Sequence, residues 1–316
     1  MGEGEILYPI EDYTMKNKIL GTLVGLAAGD AIGTTVEFKP RGTFPPVTDM
    51  VGGGPFNLKV GQWTDDTSMA LCLADSIIKN GFDCHDQMIR YCDWWKNGYM
   101  SSTGKCFDIG FTTSWALDTF LDRDDEFGSA DDSDGASGNG GLMRIAPVIM
   151  AYHNHVDFYE YVLDCTRTTH ASPKCLDASI LFSKIVARAY QSEDKHSILV
   201  GHDLTLCITE EINDINCGKY LSMKYEELNG SGYVINSLIT ALWCFYHTDN
   251  FKDAILMAVN VGDDADTVGA ICGQIAGAYY GLDGIPPEWV NKLHEKDMLL
   301  RMSEELYVIG LVNDIT

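Results

Sequence analysis

The chain is poor in positive charge. Lysine and arginine number 22 against 46 aspartates and glutamates, a formal net charge of −24. A surface this acidic repels phosphate backbones and anionic bilayers, which argues against nucleic-acid binding and against polybasic attachment to membranes. It suits solubility, attraction of cations, or an encounter with a basic partner surface. The opening MGEGEILYPIEDYTMKN carries acids where a secretory leader carries lysine or arginine, so no signal peptide is expected. No run reaches the eighteen or so apolar residues of a membrane span, so no membrane partner is expected. None of the ten cysteines forms a C-x-x-C pair, which argues against a zinc site. Thiols such as Cys72, Cys92, Cys165 and Cys272 are expected to be reduced and mostly buried, in a cytoplasmic setting.

Strong alternation of apolar and polar residues is also missing, and with it the signature of half-buried strands. No fixed-period repeat is present. What is there is helical periodicity. From Ile19 the apolar positions Ile19, Leu20, Leu23, Val24, Leu26, Ala27 and Ile32 follow the rhythm of a buried helix face. Similar segments are predicted over 66–80, 84–97, 107–121, 141–153, 157–168, 174–190, 232–247, 251–260, 266–280 and 295–311. Breakers separate them: Pro40, Pro45 and Pro46, then Gly52 to Gly54, then the acidic tract 122–135. About 46% of residues are hydrophobic, enough for a sizeable core. The expectation is one all-α domain of many helices over 1–316.

The acidic tract DRDDEFGSADDSDG fails as a calcium loop. With Gly135 at the required glycine, Ala130 and Gly141 fall where acids are needed. It reads as a solvated loop. GQWTDDTSM, 61–69, is more informative. Two adjacent carboxylates repel unless a cation or water separates them. In GDDADTVGAICGQIAGAYYG, 262–281, aspartates again precede a helical run and threonine follows. Asp264 and Asp266 converge only where the backbone turns, as at a helix N-terminus. Thr64 or Asp65 could simply cap one helix and Asp264 another. A cap needs one oxygen, however, and each motif supplies three. Thr64, Asp65 and Asp66 with Asp264, Asp266 and Thr267 make six hard oxygen ligands, a set suited to magnesium or manganese and able to hold a two-metal site.

GDAIGTTVEF, 29–38, holds Asp30 and Glu37, seven apart and so on one face if the helix continues. The alternative is a solvated helix end. SGNGGLMRIAPV, 137–148, is a glycine-rich turn opening a helix, whose backbone N–H groups suit a phosphate. It is not a dinucleotide fingerprint, since Met143 stands at the third glycine position. By themselves His170 reads as a helix C-terminal residue, Tyr233 as a core aromatic and Asp108 as a helix start.

Together WTDDTSM, GDDADTVGAICGQIAGAYYG, GDAIGTTVE and SGNGGLMRIAP resemble the motifs of the ADP-ribosylglycohydrolase family, in order, from about Gly21 to Gly281. The stretch GYMSSTGKCFDIGFTT looks like its bacterial dinitrogenase-reductase-activating glycohydrolase branch. The resemblance implies an all-α fold with two Mg2+ or Mn2+ ions in a central cleft, held by Thr64, Asp65, Asp66, Asp264, Asp266 and Thr267. It implies that Ser137, Gly138, Asn139, Gly140, His170 and Tyr233 approach ADP-ribose. It offers two candidate acid/base residues: Asp108, as in the bacterial branch, and Glu37, as in serine-directed animal members. The insertions, 122–135 and about 191–228, lie outside the motif blocks.

The activity so implied is hydrolysis of the glycosidic bond at ribose C1″ of an ADP-ribosylated protein side chain, arginine favoured, with ADP-ribose as product. Two other readings stay open. Acidic magnesium sites also serve nucleotide-diphosphate phosphohydrolases. The family resemblance also extends to crystallin-like relatives, so a non-catalytic ADP-ribose-binding protein is the third.

Overall fold

The computed structural model describes residues 10–128 and 131–313. Of the acidic tract 122–135, residues 129 and 130 therefore lie outside the described residues. The described chain is all-α, with three isolated β-bridges in place of any strand. The α-helices are α1 Ile10–Gly33, α2 Asp65–Asn80, α3 Cys84–Asn97, α4 Phe111–Arg123, α5 Ala146–Tyr152, α6 Phe158–Arg167, α7 Pro173–Gln191, α8 Lys195–Leu199, α9 Glu210–Asn216, α10 Val234–Tyr246, α11 Phe251–Val259, α12 Ala265–Tyr280, α13 Pro287–Lys292 and α14 Lys296–Asn313.

Helices α1 and α12 form the centre. Helices α2, α5 and α14 pack on α1, while α7, α10 and α11 pack on α12. The central pair is antiparallel and joined through glycine. Gly21 faces Gly277, Gly25 faces Gly273, Gly29 faces Gly269, and Gly33 faces Ala265. A β-carbon at any of these α1 glycines would collide with the carbonyl of the facing residue. Glycine in a helix interior sacrifices about 1 kcal/mol of propensity relative to alanine. Here it lets two backbones touch along three turns, as small residues do where helices must approach closely.

The span Tyr13–Val36 is long and apolar enough to cross a membrane, with mean hydropathy 1.5. That corrects the expectation that no such stretch exists. It is 94% buried inside the protein, so it is the core helix of the bundle.

Several boundaries depart from the periodicity. The helix expected over 107–121 begins at Phe111, because Asp108 adopts a left-handed backbone (φ 62°) that an α-helix cannot include. The segment 141–153 splits into a 3-10 turn, Leu142–Arg144, and α5, with Pro147 in the first turn. The segment 191–228 is not featureless: α8, α9 and two 3-10 turns lie within it. The ten cysteines form no disulfide, and Cys72, Cys92, Cys165, Cys175, Cys244 and Cys272 are buried.

Because the seam has no side chains to rearrange, Gly29→Val should destabilise the protein by about 3 kcal/mol or more, the upper range for overpacking. Gly135→Ala, where an added β-carbon meets nothing closer than 3.9 Å, should change stability little. Thermal unfolding of the two variants checks this. Equal melting temperatures would mean that the helices can separate at no cost.

Candidate active site

The seam decides where the site forms. Its register brings the C-terminal end of α1 beside the N-terminus of α12, and α2 begins at the same place. Two helix N-termini, with their free N–H groups and positive dipole ends, therefore converge on one point. Both are loaded with acid: Asp65 and Asp66 open α2, and Asp264 and Asp266 open α12.

The expected capping roles fall elsewhere. Neither Thr64 nor Asp264, the two N-cap residues, makes a side-chain cap hydrogen bond. Asp30 of α1 does that work for α2. One of its oxygens accepts from the Thr64 backbone N–H and hydroxyl, both at 2.9 Å. The other accepts from the Thr67 backbone N–H at 3.0 Å and hydroxyl at 2.6 Å. Asp30 is therefore no solvated helix end; it is fully buried. Glu37 does not continue the helix from Asp30 either. It follows a 3-10 turn, Thr34–Val36, with an extended backbone.

Two groups of carboxylates result. Oxygens of Asp30, Asp66 and Asp266 lie within 4.8 Å of one another, as do those of Glu37, Asp108 and Asp266. Asp266 belongs to both. The Thr64 hydroxyl lies 3.1 Å from Asp66 and 3.1 Å from Asp266, besides Asp30. One hydroxyl proton cannot serve three carboxylates. Asp66 Oδ1 and Asp266 Oδ1 are buried and receive no hydrogen bond from a hydroxyl or N–H group; around Asp266 only neighbouring carboxyls, when protonated, could supply one. Buried anionic oxygens without donors are costly unless a cation meets them. Orphaned oxygens in an all-oxygen donor set fit a hard divalent cation such as magnesium or manganese.

Burial raises the carboxyls throughout. Asp65, Asp66 and Asp266 are held well above the usual carboxylate range, chiefly by desolvation and then by the neighbouring aspartates and Glu37. Asp30 and Asp264 move the same way, for the same first cause. Glu37 is pushed up to about 9 by burial and by the Asp108 charge. Asp108 is pushed up to about 7 by burial, opposed by hydrogen bonds with Asp266 and Glu37.

Above the acids lies a cavity of about 690 Å³, lined by Glu37, Asp65, Asp108, Asp264 and Thr267 and, on another wall, by Gly138, Asn139, Gly140 and His170. That volume lies in the range of sites for drug-sized ligands. The glycine-rich turn is clamped in place. Asn139 donates to Asp264 at 2.6 Å and to the Ser237 hydroxyl at 2.9 Å. Its backbone N–H donates to the Gly232 carbonyl at 3.1 Å, and Val234 N–H donates to the Ser137 carbonyl at 3.0 Å. The Ser137 hydroxyl pairs with that of Ser172 at 2.8 Å.

His170 packs beneath the turn. A β-carbon at Gly140 would meet its ring at 2.6 Å. Burial, and then Arg144, depress it to about 3, so it is neutral. Arg144, fully buried, donates to the Gly140 carbonyl at 3.0 Å and the Cys165 carbonyl at 3.1 Å.

Thr64, Asp65, Asp66, Asp264, Asp266 and Thr267 thus come together, with Glu37 and Asp108 beside them. Gly138, Asn139, Gly140 and His170 share the cavity. Ser137 sits behind the turn, and Tyr233 is half-buried outside the lining, with Lys174 Nζ 5.6 Å from its ring centroid. Sequence reasoning passed over Asp30 as a member of the carboxylate cluster and missed Asp263 on the cavity wall. Asp263 and Phe38 both have left-handed backbones, φ 57° and 60°. Phe38 N–H donates to the Asp263 carbonyl at 2.7 Å, and Asp263 N–H donates to the Lys39 carbonyl at 2.9 Å.

Raised carboxyls make the metal-free fold pH-sensitive in a definite sense. Their stabilising contribution is complete below the unfolded-chain range near ~4 and is lost as pH rises through about 7 for Asp108 and about 9 for Glu37. In chelator, melting temperature should fall from pH 6 to pH 9. Glu37→Gln should shallow that fall, and excess magnesium or manganese should oppose it at pH 8. A wild-type slope retained in Glu37→Gln would remove Glu37 as a source.

The family model for ADP-ribosylglycohydrolase matches residues 11–313, wider than the motif block 21–281. The ADP-ribosylarginine hydrolase Tri1 of Serratia proteamaculans is 40% identical over 94% of this chain and 81% of its own length. The ADP-ribosyl-[dinitrogen reductase] glycohydrolase of Rhodospirillum rubrum is 33% identical, over 90% and 92%. A solved chain described as an ADP-ribosylglycohydrolase-related protein complex superposes with a TM-score of 0.84 at 38% identity, covering 94% of this chain and 99% of that one. The acid-loaded helix pair, the glycine turn and the length of these matches lead to one conclusion: the chain belongs to the ADP-ribosylglycohydrolase family.

Proposed function

We propose that this protein removes ADP-ribose from ADP-ribosylated arginine side chains of proteins, by hydrolysis at ribose C1″. The observation that carries the reading is the pair of carboxylate groups sharing Asp266, with two orphaned oxygens, at the foot of a cavity walled by the glycine turn. The arginine preference is supported by the activity named for the Serratia relative, and removal from a protein by the one named for the Rhodospirillum relative.

Thr64, Asp65, Asp66, Asp264, Asp266 and Thr267 would hold two magnesium or manganese ions, with Asp30 fixing the α2 end of the set. Such ions, when bound, supply positive charge that holds sugar hydroxyls and favours loss of a proton from water. The glycine turn offers backbone N–H groups to the pyrophosphate. Asn139 ties that turn to Asp264, so phosphate and ribose are registered against each other. Of the acid/base candidates, Asp108 is the more open to the cavity and Glu37 is buried beside it. In the reaction a water oxygen bonds to C1″ as the C1″–nitrogen bond breaks. Asp108 takes the water proton, and the Asp108–Glu37 pair returns a proton to the departing guanidine.

The test is product analysis on arginine-ADP-ribosylated and serine-ADP-ribosylated protein, with magnesium or manganese and with chelator. Metal-dependent release of free ADP-ribose from the arginine conjugate is expected. Asp108→Asn should lower kcat by about 10²-fold or more, within the range for a lost general base. AMP and ribose phosphate as products would establish a phosphohydrolase instead. Tight ADP-ribose binding without turnover would establish a non-catalytic relative.

A further inference from the structure

The outward face of α4 begins at the cavity and leads away from it. Phe111 lines the cavity mouth yet is 80% exposed, and Trp115, one turn on, is 56% exposed. Their rings stack with centroids 6.4 Å apart. Asp118 and Asp122 follow, both exposed. The spacing 111, 115, 118, 122 places all four on one helix face. The opposite face, Thr113, Ala116, Leu117 and Phe120, is the one buried in the protein. Trp115, Asp118, Thr119, Leu121, Asp122 and Arg123 border a shallow groove on this outward face. Beyond it come Asp124 and Asp125, also exposed. The one cation in the run, Arg123, reaches back to the Gly128 carbonyl at 3.5 Å.

Two stacked aromatics followed by acids do not make a solvated helix face, and nothing in the fold requires Phe111 and Trp115 to be outside. Aromatic faces bind the stems and charges of lysine and arginine, and nearby carboxylates add attraction for a basic surface. The groove and the cavity are separate, but Phe111 at the cavity mouth and Trp115 at the groove stack one helical turn apart on the same face.

We propose that this stripe docks a basic segment of the modified protein, the residues adjoining the ADP-ribosylated arginine. The inference rests on the hydrolase reading and assigns its specificity for protein substrates. Trp115 acts on binding of the protein, at a distance from the sugar, while Asp118 and Asp122 select its charge.

The experiment uses three substrates: ADP-ribosyl-agmatine, and two synthetic ADP-ribosylated arginine peptides of equal length, one lysine-flanked and one glutamate-flanked. Wild type should prefer the lysine-flanked peptide. Trp115→Ser should lower kcat/KM for that peptide about tenfold, the loss typical of an aromatic anchor, through KM. It should leave ADP-ribosyl-agmatine unchanged. The double variant Asp118→Asn, Asp122→Asn should erase the preference between peptides and flatten its dependence on salt. An equal loss on agmatine and peptide would place Trp115 in the sugar or base site and overturn the proposal. So would equal cleavage of both peptides by wild type. Failure of wild type to release ADP-ribose even from agmatine would overturn the hydrolase reading itself, and the docking role with it.

Discussion

Main-chain contact between α1 and α12 is the constraint from which the site follows. Ordinary helix pairs are held 8–10 Å apart by their side chains. Here the facing glycines 21, 25, 29 and 269, 273, 277 remove that spacer. The antiparallel register then sets Gly33 against Ala265, so α1 ends where α12 begins. Asp30, near the end of one helix, and Asp266, in the first turn of the other, are neighbours for that reason alone. Helix α2 completes the arrangement because its N-terminal donors need Asp30.

The electrostatics depend on the same geometry. Seven carboxyls, from Asp30 to Asp266, are crowded where water is scarce, and every one is displaced upward from its ordinary range. Two helix dipoles offset part of that cost. The remainder is relieved by protonation, and would be relieved equally by a bound cation. What makes the metal-free fold uneasy is thus what would favour a cation there.

Much of this was legible in the sequence, and what was not has a physical reason. The TDD and DxDT triplets declare themselves because their oxygens are local: each sits at one helix start, and a helix start is written in a few residues. The glycine turn is visible for the same reason. Asp30 was not, since a single acid at the end of an apolar helix looks solvated until α2 is placed against it. The four-residue spacing of the α1 glycines is visible in the sequence, but helix glycine reads as lost propensity, and which segment each glycine faces is a tertiary fact. Asp108 was misplaced at a helix start because left-handed backbone at aspartate leaves no pattern. The boundaries at 141–153 moved because Pro147 reopens the helix after a 3-10 turn. The apolar length of α1 hid in plain view, as charged and small residues interrupt it yet leave its mean hydropathy at 1.5.

The paired main-chain hydrogen bonds between Phe38–Lys39 and Asp263 have a consequence for motion. They join the segment leaving α1 to the segment entering α12, just past the last contact of the seam, Gly33 against Ala265. The stretch carrying Glu37 and the stretch carrying Asp264 are therefore fastened to each other twice, by the seam and by these bonds. A ligand entering between Glu37 and Asp264 thus meets two stretches of backbone already bound to each other before it arrives.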